Sequence, residues 1–578
     1  MRWLSFVALL LFSLNTLEAA APQIGGSKFH QAAANDNASL LESLLKENPE
    51  QVDATNDAGM TPLHIAAGLG NNAVIPVLLR FGADLNCKTP AGEVALHLAA
   101  SRNKASTVTL LLKSGASAES RNDLGIQPLH SAIASTSDAA VSAFLDFGTS
   151  PNGTDSIGRS SLHFAASYGS SVAMESLLSA GASLNTQDNL GNTALHANIG
   201  EYPLDTFQTL LRAGADLDIK NNAGFTPLFL AIGIEDRHYV EGLLRAGADS
   251  GLTMAGGIAA LHFVSAKGQT EMVELLIRYD ADLAAKDELG KTPLHYAAES
   301  SSIEAMELLI NAGANLEAFA VDGTTPLHVA CMNDRLLAVT ALLDAKANLT
   351  GDGPSGYSAL QYAAAYNSVG VLKYLLVSEP DLEEFSRDGL SALHLAASSG
   401  AKGSLEMLIQ AGAKVHVPAA GQVTALHLAA SVNAPGCIEL LLGAEADMEA
   451  RNQVDDSPLL VAVRNSAIDA ASTLLQAGAD VNVVGEYGGT PLHFAILAHD
   501  PEAMIALLVS AGGNLQAVQG VKSDTPLHWA AGYNKPVSIR ALVEAGADST
   551  AVNAIGETPL EKAKAMGRDE AVEALGVL

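Results

Sequence analysis

Thr61-Pro62-Leu63-His64-Ile65-Ala66-Ala67 decides the reading of this chain, because Val94-Ala95-Leu96-His97-Leu98-Ala99-Ala100 follows it 33 residues later and the step persists. His64 and His493 stand 429 residues apart, thirteen steps of 33. After a two-residue slip the leucine returns at Leu527 and Leu560, so all sixteen registers from Leu63 onward keep it. A length of 578 residues would ordinarily suggest several globular domains. A fixed period overrides that, since each repeat of such an array contacts only its neighbours.

Residues 56–86 contain the physical content of one repeat. Gly59 follows Asp57 and supplies a turn that tolerates positive φ. Thr61 caps a helix whose first position is Pro62, where a missing N–H costs nothing. Leu63, Ala66 and Ala67 face inward, and the two alanines let a neighbouring helix come close. Gly70 ends this short helix one. Val74, Val77, Leu78 and Leu79 then recur at helical spacing as the apolar stripe of helix two, which Gly82 stops. Asp84 to Asn86 runs back out as an extended arm. Neither helix can bury its face alone, so stacking of neighbours folds the unit.

Thr292-Pro293-Leu294-His295-Tyr296-Ala297-Ala298 and Thr325-Pro326-Leu327-His328-Val329-Ala330 repeat the opening almost verbatim. These residues resemble the ankyrin repeat family, with its T-P-L-H-x-A signature and 33-residue period, over the stretch from Ser27 to Ala574. The resemblance implies an all-α, ankyrin-repeat solenoid: helix pairs with projecting hairpin tips in a curved stack. The expected organisation is a signal peptide over 1–20 and a single array over 21–578, with an N-terminal capping repeat (27–55), central repeats (56–552) and a C-terminal capping repeat (553–578). Both ends read as capped, because Glu42, Lys46, Glu47 and Glu50 at one end and Glu561, Lys562, Lys564 and Arg568 at the other give polar outer faces.

The leader reads as secretory. Arg2 supplies the positive start, Leu4 to Leu14 a short apolar stretch, and Ala19-Ala20-Ala21 small residues for cleavage, with Pro22 favouring a cut after Ala19 or Ala20. An uncleaved anchor is the alternative. A secreted protein, a periplasmic one and a signal-anchored one all fit. Asn37, Asn152 and Asn348 begin Asn-x-Ser/Thr sequons that leave the host undecided.

Net charge −31 argues against nucleic acid and anionic lipid as partners. It keeps an apolar array soluble and monomeric, or forms an acidic surface that attracts a protein with a basic one. Cys87, Cys331 and Cys437 fall in different repeats, too far apart for an internal disulfide. Cys331 and Cys437 read as core residues and Cys87 as a residue of a connecting arm.

Two repeats depart from the pattern. In the fifth the alanine pair becomes Asn198-Ile199, Gly200 interrupts helix one, Pro203 follows, and Thr206 and Thr209 replace apolar residues of helix two. In the seventh, Ala259 occupies the cap position and Met254-Ala255-Gly256-Gly257 the turn. Residues 190–260 are therefore expected to open first.

Catalytic and cofactor chemistry is not indicated. Thirteen of the sixteen histidines occupy the signature position from His30 to His528. Stacked neighbours lie roughly 10 Å apart, which is too far to share a zinc ion. The expected role is a histidine bonding into its own helix start and the adjoining turn. Phe229, Gln361, Leu460 and Glu561 in the same register mark a position that tolerates loss of imidazole. Gly290-Lys291-Thr292 matches the end of a phosphate-binding loop, but Ala285 stands where its first glycine belongs. Ser43-Leu44-Leu45-Lys46 has no partner motifs. The expectation is no catalytic, cofactor-binding or metal-binding residue.

The resemblance implies a non-enzymatic scaffold that binds a protein with hairpin tips and the concave ends of helix one. A secreted effector acting on another organism's proteins is the alternative. The binding positions lie seven, six and four residues before the signature histidine and four and five after it. They are mostly small or polar, so aromatics there are informative. The candidates are Tyr168, Phe225, Tyr357, Tyr366, Tyr487 and Tyr533, with Arg387 and Leu390 expected to join Tyr357 and Tyr366 in one patch.

Overall fold

The computed structural model describes residues 26–201, 204–300, 302–350, 353 and 356–576, together with the backbone but not the side chain of Tyr487. The leader, Pro203 and the Tyr487 side chain lie outside the described residues. Among these residues the chain is almost wholly helical, with no strand and two isolated bridges, Thr154 to Ser160 and Gln519 to Asp524. No described helix is long and apolar enough to cross a membrane. The repeats fall into two compact units, one running to Ala255 and taking in Arg278–Ala281, the other made of Gly256–Ile277 and the chain from Asp282.

The representative repeat forms as its residues dictate. Helix Pro62–Leu69 starts where the Thr61 hydroxyl accepts the His64 N–H and ends at Gly70 with φ 83°. Helix Ile75–Arg80 buries Ile75, Val77 and Leu78, while Leu79 is only half-buried. Ile75 thus takes the place expected of Leu79.

In the first unit the helix-two column Leu78, Leu111, Phe144, Leu177, Leu210, Leu243 is fully buried at every 33-residue step. In the second the same register continues as Leu276, Leu309, Leu342, Leu375, Leu408, Leu441 and Leu474. A repeat's core is therefore completed by the repeats beside it.

The tips are stitched by backbone hydrogen bonds. In the first unit Asp123 N–H donates to the Ala91 carbonyl at 3.2 Å, Ser156 to Leu124 at 3.1 Å, Asn189 to Ile157 at 2.9 Å and Asn222 to Leu190 at 2.9 Å. In the second, Glu288 donates to Gly256 at 3.0 Å and Val321 to Leu289 at 2.8 Å. Gly125 (φ +73°) shows why glycine sits beside this contact, since a Cβ there would lie 2.5 Å from Ser156 N. Gly125→Ala is expected to combine left-handed strain with loss of that bond, a local cost of roughly 2 kcal/mol. Faster amide exchange at Ser156 than in the parent checks this, and unchanged exchange refutes it.

The irregular fifth repeat is rebuilt from polar and aromatic groups. Helix Ala194–Asn198 spans five residues and Ile199 turns extended. The buried Asn198 Nδ2 donates to the Ala166 carbonyl at 3.0 Å and to Thr206 Oγ1 at 2.8 Å. Tyr239 of the following repeat is fully buried, meets Phe207 edge to face at 4.8 Å between centroids, and donates its hydroxyl to the Glu201 carbonyl. In the seventh repeat Ala259 offers no hydroxyl, yet its N–H donates to His262 Nδ1 at 3.2 Å.

Candidate functional site

Most tips are anchored by a signature histidine. Thr61 N–H donates to His64 Nδ1 at 3.2 Å and the Thr61 hydroxyl lies 2.9 Å from the same nitrogen. Nδ1 is therefore the acceptor, which leaves the proton on Nε2. Nε2–H then donates to the Glu93 carbonyl at 3.1 Å, at the root of the next tip. His97 reaches Ile126 at 2.9 Å, His163 reaches Asn192 at 2.8 Å, and in the second unit His427 reaches Asp456 at 3.0 Å. Each of these bonds spans 29 residues. At the two-residue slip His493 still finds the Asp524 carbonyl at 3.1 Å, across 31 residues.

Burial holds these imidazoles neutral. His97, His130, His295, His328 and His493 are pushed down to about 4, with desolvation the largest cause in each. Gln361 reproduces the geometry without a titrating ring: its Oε1 accepts Ser358 N–H at 3.0 Å, and its Nε2 donates to the Glu384 carbonyl at 2.9 Å and Leu390 at 3.3 Å. The histidine row is thus largely a set of fasteners with both ring nitrogens engaged, although Nε2 of His328 and of His394 is buried without a hydrogen-bond partner.

The eight residues singled out from the sequence fall into three groups. Tyr366 and Tyr533 are each 55% exposed, and Arg387 is exposed on its tip. Tyr168, Phe225, Tyr357 and Leu390 are half-buried. The Tyr487 side chain is outside the described residues.

Tyr168 stacks on Phe164 at 6.3 Å, and Phe164 stacks on His130 at 4.6 Å beneath the Arg159 guanidinium. Arg159 is itself held by the buried Asp155 at 2.8 Å, so this aromatic column is fixed from both sides. Phe225 offers its carbonyl to His196 at 3.1 Å.

The structure brings Tyr357, Arg387 and Leu390 to two adjoining tips. The Tyr357 hydroxyl donates to Asp388 Oδ2 at 2.9 Å, and burial together with that carboxylate pushes the phenol up to about 12. Its ring edge meets Tyr362 at 5.6 Å. Gly356 backs onto the Arg387 stem, where a Cβ would lie 2.5 Å from Arg387 Cγ. Tyr366 closes helix Ala359–Ala365 at its far end, about 10 Å along the axis from Tyr357. The expected four-residue patch is therefore a tip pair plus a separate exposed ring.

Tyr533 belongs to a larger run that the sequence did not single out. It meets Trp529 at 5.8 Å, and Trp529 meets Phe494 at 5.8 Å. Arg464 lies 4.0 Å over Phe494 and is held by Asp456 at 2.9 Å.

A second feature missed is aliphatic. Leu124, Ile157 and Leu190, six residues before successive signature histidines, project from three consecutive tips of the first unit with 44%, 46% and 59% exposure. Their own carbonyls carry the tip-to-tip bonds, which fixes the row at the stacking step of roughly 10 Å. The signal lay in that sixth position, which the aromatic criterion passed over.

The match to a protein family agrees with this architecture. The family described as "Ankyrin repeats (3 copies)" matches residues 29–122, 96–188, 162–254, 234–320, 261–352, 327–419, 426–519 and 492–576. The nuclear factor NF-kappa-B p105 subunit of Mus musculus is 41% identical over 68 residues, which is 12% of this chain and 7% of that protein. Its Gallus gallus counterpart is 38% identical over 81 residues, 14% of this chain and 8% of that protein. The chain thus spans under a tenth of the length of these curated relatives. The crystal structure of the ankyrin repeat domain of Bcl-3, described as a unique member of the IkappaB protein family, matches 38% of this chain and 98% of its own at 30% identity, with a TM-score of 0.36.

Proposed function

Because the chain belongs to the ankyrin-repeat family, whose arrays are protein-interaction scaffolds and typically not enzymes, we propose that it is an exported scaffold that grips a protein with its tips and helix-one ends. One observation carries the choice of surface: the row Leu124, Ile157, Leu190 stands exposed on backbone-stitched tips. Apolar side chains held out by rigid elements lose little freedom on binding, which is what makes an interface anchor effective. Tyr366 and Tyr533 offer the same in the second unit, with the half-buried Tyr357 and the exposed Arg387 on the neighbouring tips. The net charge of −31 favours a partner with a basic surface, brought in by long-range attraction. Arg2, the apolar run to Leu14 and the three alanines support export by a cleaved leader.

The test is capture from the native extracellular or periplasmic fluid on the immobilised mature chain, at low and at high salt. Replacing Leu124, Ile157 and Leu190 together by serine is expected to cut capture of the bound protein at least tenfold. Alanine at both Tyr357 and Tyr366 is expected to do the same for a partner of the second unit. Capture unchanged in both variants refutes the surface, and recovery of the chain only from cytoplasm with the leader intact refutes export.

A further inference from the structure

The helix-two face of the first unit carries a trough that neither the tips nor the histidine row uses. It has a volume of about 600 Å³ and runs between helices Asp205–Arg212 and Arg237–Arg245. The reason for it is local. Gly242 stands where the preceding repeat has Thr209, and a Cβ there would lie 2.5 Å from Phe207 Cε1, so Phe207 seats against bare backbone. Leu204, Leu211 and Ala246 line the trough beside them.

Its rim is cationic in a strongly acidic chain. Arg212 and Arg245 occupy the same register of adjacent repeats, 33 residues apart, and both line the trough. The Arg212 guanidinium donates to two neutral oxygens, the Gln208 carbonyl at 3.3 Å and Thr209 Oγ1 at 3.2 Å. Glu241, the carboxylate of the lining, lies between Arg245 at 3.0 Å and Arg237 at 3.6 Å. The lining thus sets Arg212 and Arg245 against the one carboxylate of Glu241, and Arg245 also engages the Tyr279 side chain. Asp236 is turned onto the start of its own helix, accepting His238 N–H at 2.9 Å. With 63 acidic residues against 32 basic ones, the chain repels anions in general, so a rim with this excess of arginine selects for one locally.

We propose that the trough binds a small amphipathic carboxylate, a medium-chain fatty acid anion, with its hydrocarbon along Leu204, Leu211 and Ala246 and its carboxylate between Arg212 and Arg245. The volume falls within the range of small-molecule sites. Guanidinium groups pair with carboxylates through charge-assisted, often bidentate bonds. Burial of the methylenes supplies the remainder. The site is independent of the tip surface, so it stands or falls separately from the scaffold reading.

Titration calorimetry of the full mature chain with dodecanoate below its micelle concentration tests it, with dodecanol as the neutral control. Saturable binding near one equivalent is expected, with dodecanol at least tenfold weaker. R212E combined with R245E, both exposed positions, is expected to weaken dodecanoate at least tenfold while circular dichroism stays unchanged. A246W, which fills the trough and keeps both arginines, is expected to weaken it as well. Absence of binding, equal affinity for dodecanol, or affinity untouched by both variants overturns the proposal.

Discussion

Acidification from pH 7 to pH 5 is expected to destabilise the array severely, and the origin is the histidine row. His97, His130, His295, His328 and His493 titrate near 4 when folded because burial disfavours the imidazolium, against an ordinary value of 6.5. Above pH 6.5 both folded and unfolded chains carry them neutral, and stability is at its full value. As pH falls below 6.5 the unfolded chain takes up protons that the folded one refuses, so stability falls until the folded rings titrate near 4. At pH 5 each ring costs about 2 kcal/mol by this linkage, and the five together roughly 10 kcal/mol spread along the array. Urea unfolding followed at pH 7, 6 and 5 should show the midpoint dropping steeply in that window.

Gln361 supplies the internal control. It makes the same two bonds as a histidine and cannot be protonated there. Replacing the five histidines by glutamine should therefore keep the fold at pH 7 and make the pH profile shallower between 6.5 and 4, the other buried histidines retaining part of the response. A profile as steep as the parent's would show that the acid response lies elsewhere.

Tyr239→Ala is the second large effect. Tyr239 heads the fully buried side chains by size, packs on Phe207, and bonds the Glu201 carbonyl where helix one of the fifth repeat is cut short. Truncation leaves a cavity and an unpaired carbonyl, a cost of about 4 kcal/mol. Because stability in such arrays is a sum of nearest-neighbour terms, the loss should appear first as rapid amide exchange across residues 190–260. Tyr239→Phe, which keeps the ring and loses one hydrogen bond, should cost about 1 kcal/mol. Protection across that stretch unchanged in the alanine variant would overturn the assignment.

Much of the architecture was legible because it is written in local chemistry. Thr61 before Pro62, Gly70 and Gly82 at helix ends, and a leucine every 33 residues specify caps, stops and a stacking face without reference to distant partners. The histidine's role was legible for the same reason: repetition at a spacing too wide for a shared metal points to a bond made once per repeat. Less legible was the fate of the fifth repeat. Asn198 and Thr206 read as losses one at a time, and only the bond between their side chains, together with the Tyr239–Phe207 contact, turns the repeat into a local solution. Among the candidate binding residues, type alone did not tell exposure. Tyr168 and Tyr357 are engaged within the protein, whereas Tyr366 and Tyr533 project from it.

By itself, then, the sequence determined the repeat, its two helices, its caps and the family, since period and capping are set by residues within a few positions of one another. What tertiary structure decided is which side chains remain available to a partner. A tip leucine and a core leucine are chemically identical, and whether water or a neighbouring repeat covers each depends on stacking, as Leu190 on its tip and Leu195 in the core, five residues on, make plain.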